Sequence, residues 1–318
     1  MTENPSTPKV TFVGVGAIGL PMAARVAAAG FDLTAVDFSA AQRTAAQEQG
    51  LRAAASAASA AEADAVIVMV ATGDQLRSAA LGSHSQTSEN PGSEGPGAAG
   101  AGAGEPESAG LIAAMRPGTS LIVMSTVGPE AVQALVEPAR ERGIRLVDAP
   151  VTGGIARAAL GSLRLFVSAD PEGIQENREL LESMGTIVEC GTEIGDGQAF
   201  KAVNQLLCSV HIVAAAEALA LAQRLGLDPA QVLEAVAEGA AGSFMLSDRG
   251  PRMLEGPDAQ VASAVGIFVK DASLVSDIAG AHGFEAPMLE AARAKYLEAA
   301  DAGLARQDDS QVIATYQR

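Results

Sequence analysis

One stretch restricts the fold more than any other. The β-rich run Val10-Thr11-Phe12-Val13 enters Gly14-Val15-Gly16-Ala17-Ile18-Gly19, and a helical stretch, Leu20 to Ala29, follows. Gly30 stops that helix, and a second β-rich run, Asp32 to Val36, ends at Asp37. Strand, G-x-G-x-x-G turn, helix, strand and acid, in this order, describe the first unit of a dinucleotide-binding α/β sheet. The first glycine permits the tight turn, the second lets a pyrophosphate approach the backbone, and the third lets the helix pack on the strand. The helix N-terminus then offers free N–H groups and the positive end of its dipole. Gly14, Val15, Gly16, Ala17, Ile18 and Gly19 are therefore the expected cofactor turn. Asp37 lies 18 positions after Gly19, near the usual spacing of about 20. A carboxylate there hydrogen-bonds ribose hydroxyls and repels a 2′-phosphate, so NAD is expected over NADP. The nearest following base, Arg43, falls inside a helix.

The chain has 318 residues, which makes two domains the default. Its apolar share of 48 % comes with only 3 % aromatics and no tryptophan, so the core must be Ala, Val, Leu and Ile. That suits helices packed closely on a parallel sheet. A net charge of −17 argues against nucleic-acid or anionic-membrane partners, which call for basic patches. Cys190 and Cys208 form no C-x-x-C pair, so neither a metal site nor a disulfide framework is expected. Met1 to Lys9 has no apolar h-region, and a cytosolic location is expected. Leu206 to Ala222 carries His211 and Glu217 and reads as a core helix rather than a membrane span.

Further strands are expected at Ala65 to Val70, Ser120 to Met124, Arg145 to Val147, Leu163 to Ser168 and Ile187 to Cys190. Between the first two, Gly82 to Gly110 is almost all small and polar, a low-complexity insertion expected to be disordered. His84 within it is read as incidental. Ser125-Thr126-Val127-Gly128-Pro129 closes a strand, where its hydroxyls either face a ligand or cap the next helix. Thr152-Gly153-Gly154 offers a hydroxyl and backbone N–H groups to an anion, or is simply a tight turn. After Gly195 the pattern is helical throughout. Asp228-Pro229 starts one helix, Ser263 to Ala279 forms another carrying Lys270-Asp271, and Asp308 to Ile313 a short capped one. The expected division is a Rossmann-type domain over 1–192 and a helical domain over 193–318.

The chemistry concentrates in Gly195-Asp196-Gly197-Gln198-Ala199-Phe200-Lys201-Ala202-Val203-Asn204-Gln205, which leads into an Ala/Leu-rich helix. At helical spacing Lys201, Asn204, Gln205, Cys208 and His211 or Ile212 share one face. A lysine there either snorkels to water or is buried and used. Desolvation lowers a lysine's pKa and suits it to proton transfer near neutral pH.

Taken in order, G-x-G-A-I-G-L-P-M-A, S-T-V-x-P, D-A-P-V-T-G-G, G-x-G-x-x-x-K-x-x-N and F-V-K-D resemble the β-hydroxyacid dehydrogenase family. The likeness spans nearly the whole chain outside 82–110. Val203-Asn204-Gln205-Leu206-Leu207, the run Asp248 to Leu254, Ile267 to Asp271 and Asp308-Asp309-Ser310 are similar to its L-threonate dehydrogenase branch. The resemblance implies an NAD-dependent oxidoreductase acting on a small hydroxy acid, a four-carbon sugar acid first. 3-Hydroxyisobutyrate dehydrogenase and tartronate semialdehyde reductase are the alternatives within the family. A catalytically silent NAD-binding interaction module is the alternative from another class. It also implies a Rossmann-type domain joined by a long interdomain helix to an all-helical domain, and a homodimer or homotetramer. Lys201 is then the catalytic lysine, with Asn204 orienting the substrate and Gln205 beside it. Thr152, Gly153 and Gly154 hold the carboxylate, with Ser125 close by. Thr126 and Lys270 contact the cofactor near its nicotinamide, and Val70 and Ala71 beside its adenosine half. Ile18, Arg164, Gln205, Gly242, Phe244 and Ser247-Asp248 depart from residues common in the family or branch.

Overall fold

The computed structural model describes residues 7–82 and 110–317. The low-complexity segment between them, His84 included, lies outside the described residues. Among the described residues nine strands form one sheet: β1 (Lys9–Val13), β2 (Asp32–Val36), β3 (Arg52–Ala54), β4 (Ala65–Val68), β5 (Ser120–Val123), β6 (Arg145–Asp148), β7 (Val151–Thr152), β8 (Leu163–Ser168) and β9 (Gly185–Gly191). Their order is β3-β2-β1-β4-β5-β6-β8-β7, with β9 paired to β8. From β3 to β6 every pairing is parallel. The chain then reverses: β8 runs antiparallel to β6 and β7, and β9 parallel to β8.

The central strands β1, β4 and β5 are short and buried along almost their whole length, because both sheet faces are covered, which removes the alternation of a half-exposed strand. Phe12, Val66, Ile67, Leu121, Ile122 and Val147 are fully buried. Two layers of core result. One holds Phe12, Met22, Ile67, Ile122 and Leu165, the other Val66, Val68, Leu76, Leu121 and Leu135.

Several strand boundaries differ from the sequence reading by one residue, and two by two residues. β4 stops at Val68, not Val70, because the Val70 N–H turns to the Ser125 hydroxyl. β9 starts two residues before Ile187, since Gly185 and Thr186 pair with Leu163 and Arg164. β3 and β7 were not anticipated; at three and two residues they carry no readable period.

From Asp196 on, the regular elements among the described residues are all helices. A helix of 29 residues, Asp196–Arg224, runs through the centre of this half and packs on helices Phe244–Glu255, Val265–Ala281 and Pro287–Ala299. Ile212, Ala216, Leu219, Tyr296 and Val312 make its core. By length and composition alone the long helix could cross a membrane, but more than half of the qualifying window is buried inside the protein.

The start of the long helix is fastened to the sheet. Asp148, fully buried at the end of β6, accepts the N–H groups of Gly195 and Gln198 at 3.2 and 3.0 Å. Its other oxygen accepts from the Gln198 side chain at 2.8 Å. That amide also donates to the Ser125 carbonyl and accepts from the N–H groups of Val127 and Gly128. Gly197 must be glycine, because a Cβ there would stand 2.4 Å from the Phe166 carbonyl oxygen. These contacts set the first turns of the helix, and Lys201 with them, against the C-terminal ends of β5 and β6.

Candidate active site

In such sheets ligands bind outside the carboxyl ends of the strands, where the order reverses. Here that point is β1 beside β4. Val13, Val36, Val68 and Val123 are the register partners that end their strands. Gly14, Asp37, Met69 and Met124 therefore emerge side by side, each one residue later.

A continuous cavity of about 1970 Å³ opens at this edge. Gly14, Gly16, Ala17, Ile18, Gly19, Asp37, Val70, Ala71 and Thr126 line it from the sheet side. Thr152, Gly153, Gly154, Lys201, Asn204, Gln205 and Lys270 line its other part. Two residues expected at the site lie behind its wall. Val15 is fully buried, and its N–H donates to Asp37 at 3.0 Å. Ser125 is fully buried too; its hydroxyl accepts the Val70 N–H at 2.7 Å and thereby shapes the loop that does face the cavity. It does not cap the next helix, which starts at Gly128 without a side-chain cap.

The glycine turn fits a dinucleotide. Gly14 has a φ of +91°, and a Cβ there would meet the Met69 carbonyl oxygen at 2.2 Å. A Cβ on Gly19 would lie 2.1 Å from the Gly14 carbonyl oxygen, so the close approach of helix to strand depends on glycine. Gly16 has nothing within 4 Å of its Cβ position and leaves its backbone open to the cavity. Asp37 spans the turn, accepting from Val15 with one oxygen and from the Ser39 N–H with the other. Arg43 also reaches the cavity wall, donating to the carbonyls of Asp37 and Phe38.

At the other part of the cavity Lys201 is only 5 % exposed. Its Nζ donates to Gln205 Oε1 at 2.8 Å. Burial holds its amine below the usual lysine range, and the Asp271 carboxylate opposes that shift. Gln205 in turn donates to Asp271 Oδ2. The other Asp271 oxygen lies 2.8 Å from Lys270 Nζ, an ion pair without good hydrogen-bond direction. Lys270 donates to the Thr126 carbonyl at 3.0 Å, closing the circuit onto the sheet. Asn204 donates to Gln205 Oε1 at 2.8 Å and stands 3.5 Å from the Thr152 hydroxyl. Lys201, Asn204 and Thr152 thus converge on one space, with the cofactor turn on the same cavity.

Sequence reasoning missed Asp148 and Gln198, whose partners lie about fifty residues away, and Asp271, read only as a neighbour of Lys270. It also passed over Arg157 and Arg249, both at the cavity. Arg249 is held by Asp309 and Asp248. Of the departures from the family pattern, Ile18, Gln205, Gly242 and Phe244 line the cavity, whereas Arg164 and Ser247 do not.

Residues 9–90 and 103–195 match the NAD binding domain of 6-phosphogluconate dehydrogenase. Residues 195–316 match a family described as NAD-binding of NADP-dependent 3-hydroxyisobutyrate dehydrogenase. The chain is 34 % identical over 304 residues to an L-threonate dehydrogenase of Cupriavidus necator, covering 95 % of this chain and 93 % of that protein. It is 32 % identical over 239 residues to 3-hydroxyisobutyrate dehydrogenase of Pseudomonas aeruginosa, covering 75 % and 72 %. Among solved structures, 3-hydroxyisobutyrate dehydrogenase from Salmonella typhimurium superposes with a TM-score of 0.81 at 29 % identity, covering 97 % of this chain and 99 % of that one.

Proposed function

The chain belongs to the β-hydroxyacid dehydrogenase family and is a hydroxyacid dehydrogenase that uses a nicotinamide dinucleotide; from that premise we propose that it oxidises a four-carbon sugar acid such as L-threonate, with NAD preferred over NADP. The observation that carries the reading is the buried Lys201 amine beside Asn204 and Thr152, on the same cavity as the glycine turn.

When bound, the nicotinamide dinucleotide supplies the hydride acceptor. The rest of the work falls to the chain. Lys201, kept uncharged more readily than an exposed lysine, takes the hydroxyl proton during oxidation and returns it in the reverse direction. Gln205, anchored to Asp271, fixes where that amine points. Asn204 and the Thr152 hydroxyl orient the substrate, and Gly153 and Gly154 leave their N–H groups accessible to its carboxylate. Such positioning raises the effective concentration of the reacting groups. Asp37 underlies the NAD preference, since a carboxylate beside the ribose disfavours a 2′-phosphate. The four-carbon substrate rests on the similarity to L-threonate dehydrogenases along nearly the full chain. A cytosolic homo-oligomer divided at residue 192 completes the proposal.

The test is NADH formation by the purified protein with L-threonate, D-threonate, D- and L-erythronate, 3-hydroxyisobutyrate and D-glycerate. The expected result is a higher kcat/KM for a four-carbon acid and slower turnover with NADP. Preference for 3-hydroxyisobutyrate or glycerate would keep the family and overturn the substrate. Equal or better turnover with NADP would overturn the role of Asp37.

A further inference from the structure

We propose that Arg157 is the charge partner of the substrate carboxylate, a specificity-determining residue that no motif in the chain marks; the inference rests on the hydroxyacid dehydrogenase reading of the site. Arg157 is the middle residue of the short helix Gly154–Leu160, which follows the Thr-Gly-Gly turn. Helical side chains lean back toward the N-terminus, which brings its stem over that turn. A Cβ placed on Gly153 would come within 2.9 Å of Arg157 Cδ. The guanidinium then continues across the cleft, its Cζ 5.0 Å from the centre of the Phe244 ring. Phe244 opens helix Phe244–Glu255 in the helical half of the chain. Arg157 and Phe244 both line the cavity shared by Thr152, Asn204 and Lys201.

The other cations on that cavity are committed. Lys270 pairs with Asp271, and Arg249 with Asp248 and Asp309. Arg43 is tied to two backbone carbonyls. Lys201 is held toward its neutral form, as a base must be, and a neutral amine cannot balance a carboxylate. Among the described residues the Arg157 guanidinium forms no ion pair and donates no hydrogen bond. A position over an aromatic face uses none of the guanidinium's N–H donors on an acceptor, and that planar fork matches a carboxylate. The turn supplies neutral donors and Arg157 the fixed positive charge, in a chain whose net charge of −17 otherwise repels an anion. A guanidinium stays protonated in proteins, so its part is binding and not proton transfer.

Steady-state kinetics with NAD⁺ decide the matter, using the hydroxy acid that the wild type oxidises and its uncharged methyl ester, read as substrate or competitive inhibitor. A charge-assisted hydrogen bond contributes roughly 1.5–3 kcal/mol, about 10- to 100-fold in binding. Arg157→Ala is expected to raise KM for the acid by that factor, with kcat and the KM for NAD⁺ nearly unchanged. Arg157→Lys should recover part of the loss, and the ester should bind both proteins alike. An unchanged KM for the acid, or the same loss for acid and ester, would overturn the role and leave Arg157 as packing for Phe244. Absence of turnover by the wild type on every hydroxy acid would overturn the functional reading and this role with it.

Discussion

At the scale of single residues, the proposed chemistry turns on where one proton rests. Burial pushes the Lys201 amine down and Asp271 pulls it back up, with Gln205 as the physical link between them. Asp271→Asn keeps an amide oxygen for Gln205 but removes the negative charge. The Lys201 pKa should then fall further. Oxidation needs the neutral amine, so the rising limb of kcat against pH should move to lower pH in the variant. A limb that stays in place, or moves up, would show that Lys201 is not the titrating group or that Asp271 does not govern it. The lysine and the asparagine were legible in the sequence because a polar pair at helical spacing inside an apolar run is costly to bury unless it is paired or used. Arg157 was not, because one arginine in an alanine-rich helix looks like any solvated residue until Phe244 is seen across the cleft.

At the scale of elements, the position of Lys201 is inherited from the start of its helix. Asp148 and Gln198 bind that start to the loops after β5 and β6. Burial pushes the Asp148 carboxyl up to about 6, against the donors of Gln198, Ser168 and Gly195 that pull it down. Asp148→Ala would strand two backbone N–H groups in a buried setting and take one acceptor from the Gln198 amide. Unsatisfied buried groups cost about 1–3 kcal/mol each, offset in part by removing a costly buried charge. We expect a loss of about 2–4 kcal/mol in urea-unfolding stability. A change within about 0.5 kcal/mol, the range of an ordinary surface substitution, would contradict this role for the helix anchor. Apart from β3, the parallel strands were readable as short, largely apolar runs between turn residues. The reversal at β8 was not, because β6 and β8 meet through a single register pair, Asp148 with Ser168, that no local pattern encodes.

At the scale of the whole molecule, a sheet that ends in a row of loops meets a helical half whose long helix carries Lys201 and Asn204. Lys270 on Thr126 and Arg157 on Phe244 join the two halves across the cavity. Gly82 and Gly110, the described residues on either side of the low-complexity segment, lie side by side, since a Cβ on Gly110 would collide with the backbone of Ala80, Leu81 and Gly82. The family match also skips residues 91–102. Deleting 83–109 and joining Gly82 to Gly110 through a short glycine linker should therefore keep kcat/KM within a few-fold. Loss of turnover in a variant that stays folded would show that the segment completes the site.

The proposed function requires this cavity to be a working active site with Lys201 as its proton-transfer group. The direct measurement is kcat for hydroxy-acid oxidation by the wild type and by Lys201→Ala, each saturated with NAD⁺. General acid–base catalysis contributes about 10²–10⁴-fold, so the variant should lose at least the lower factor while still binding NAD. A variant within a few-fold of the wild type would contradict that role for Lys201.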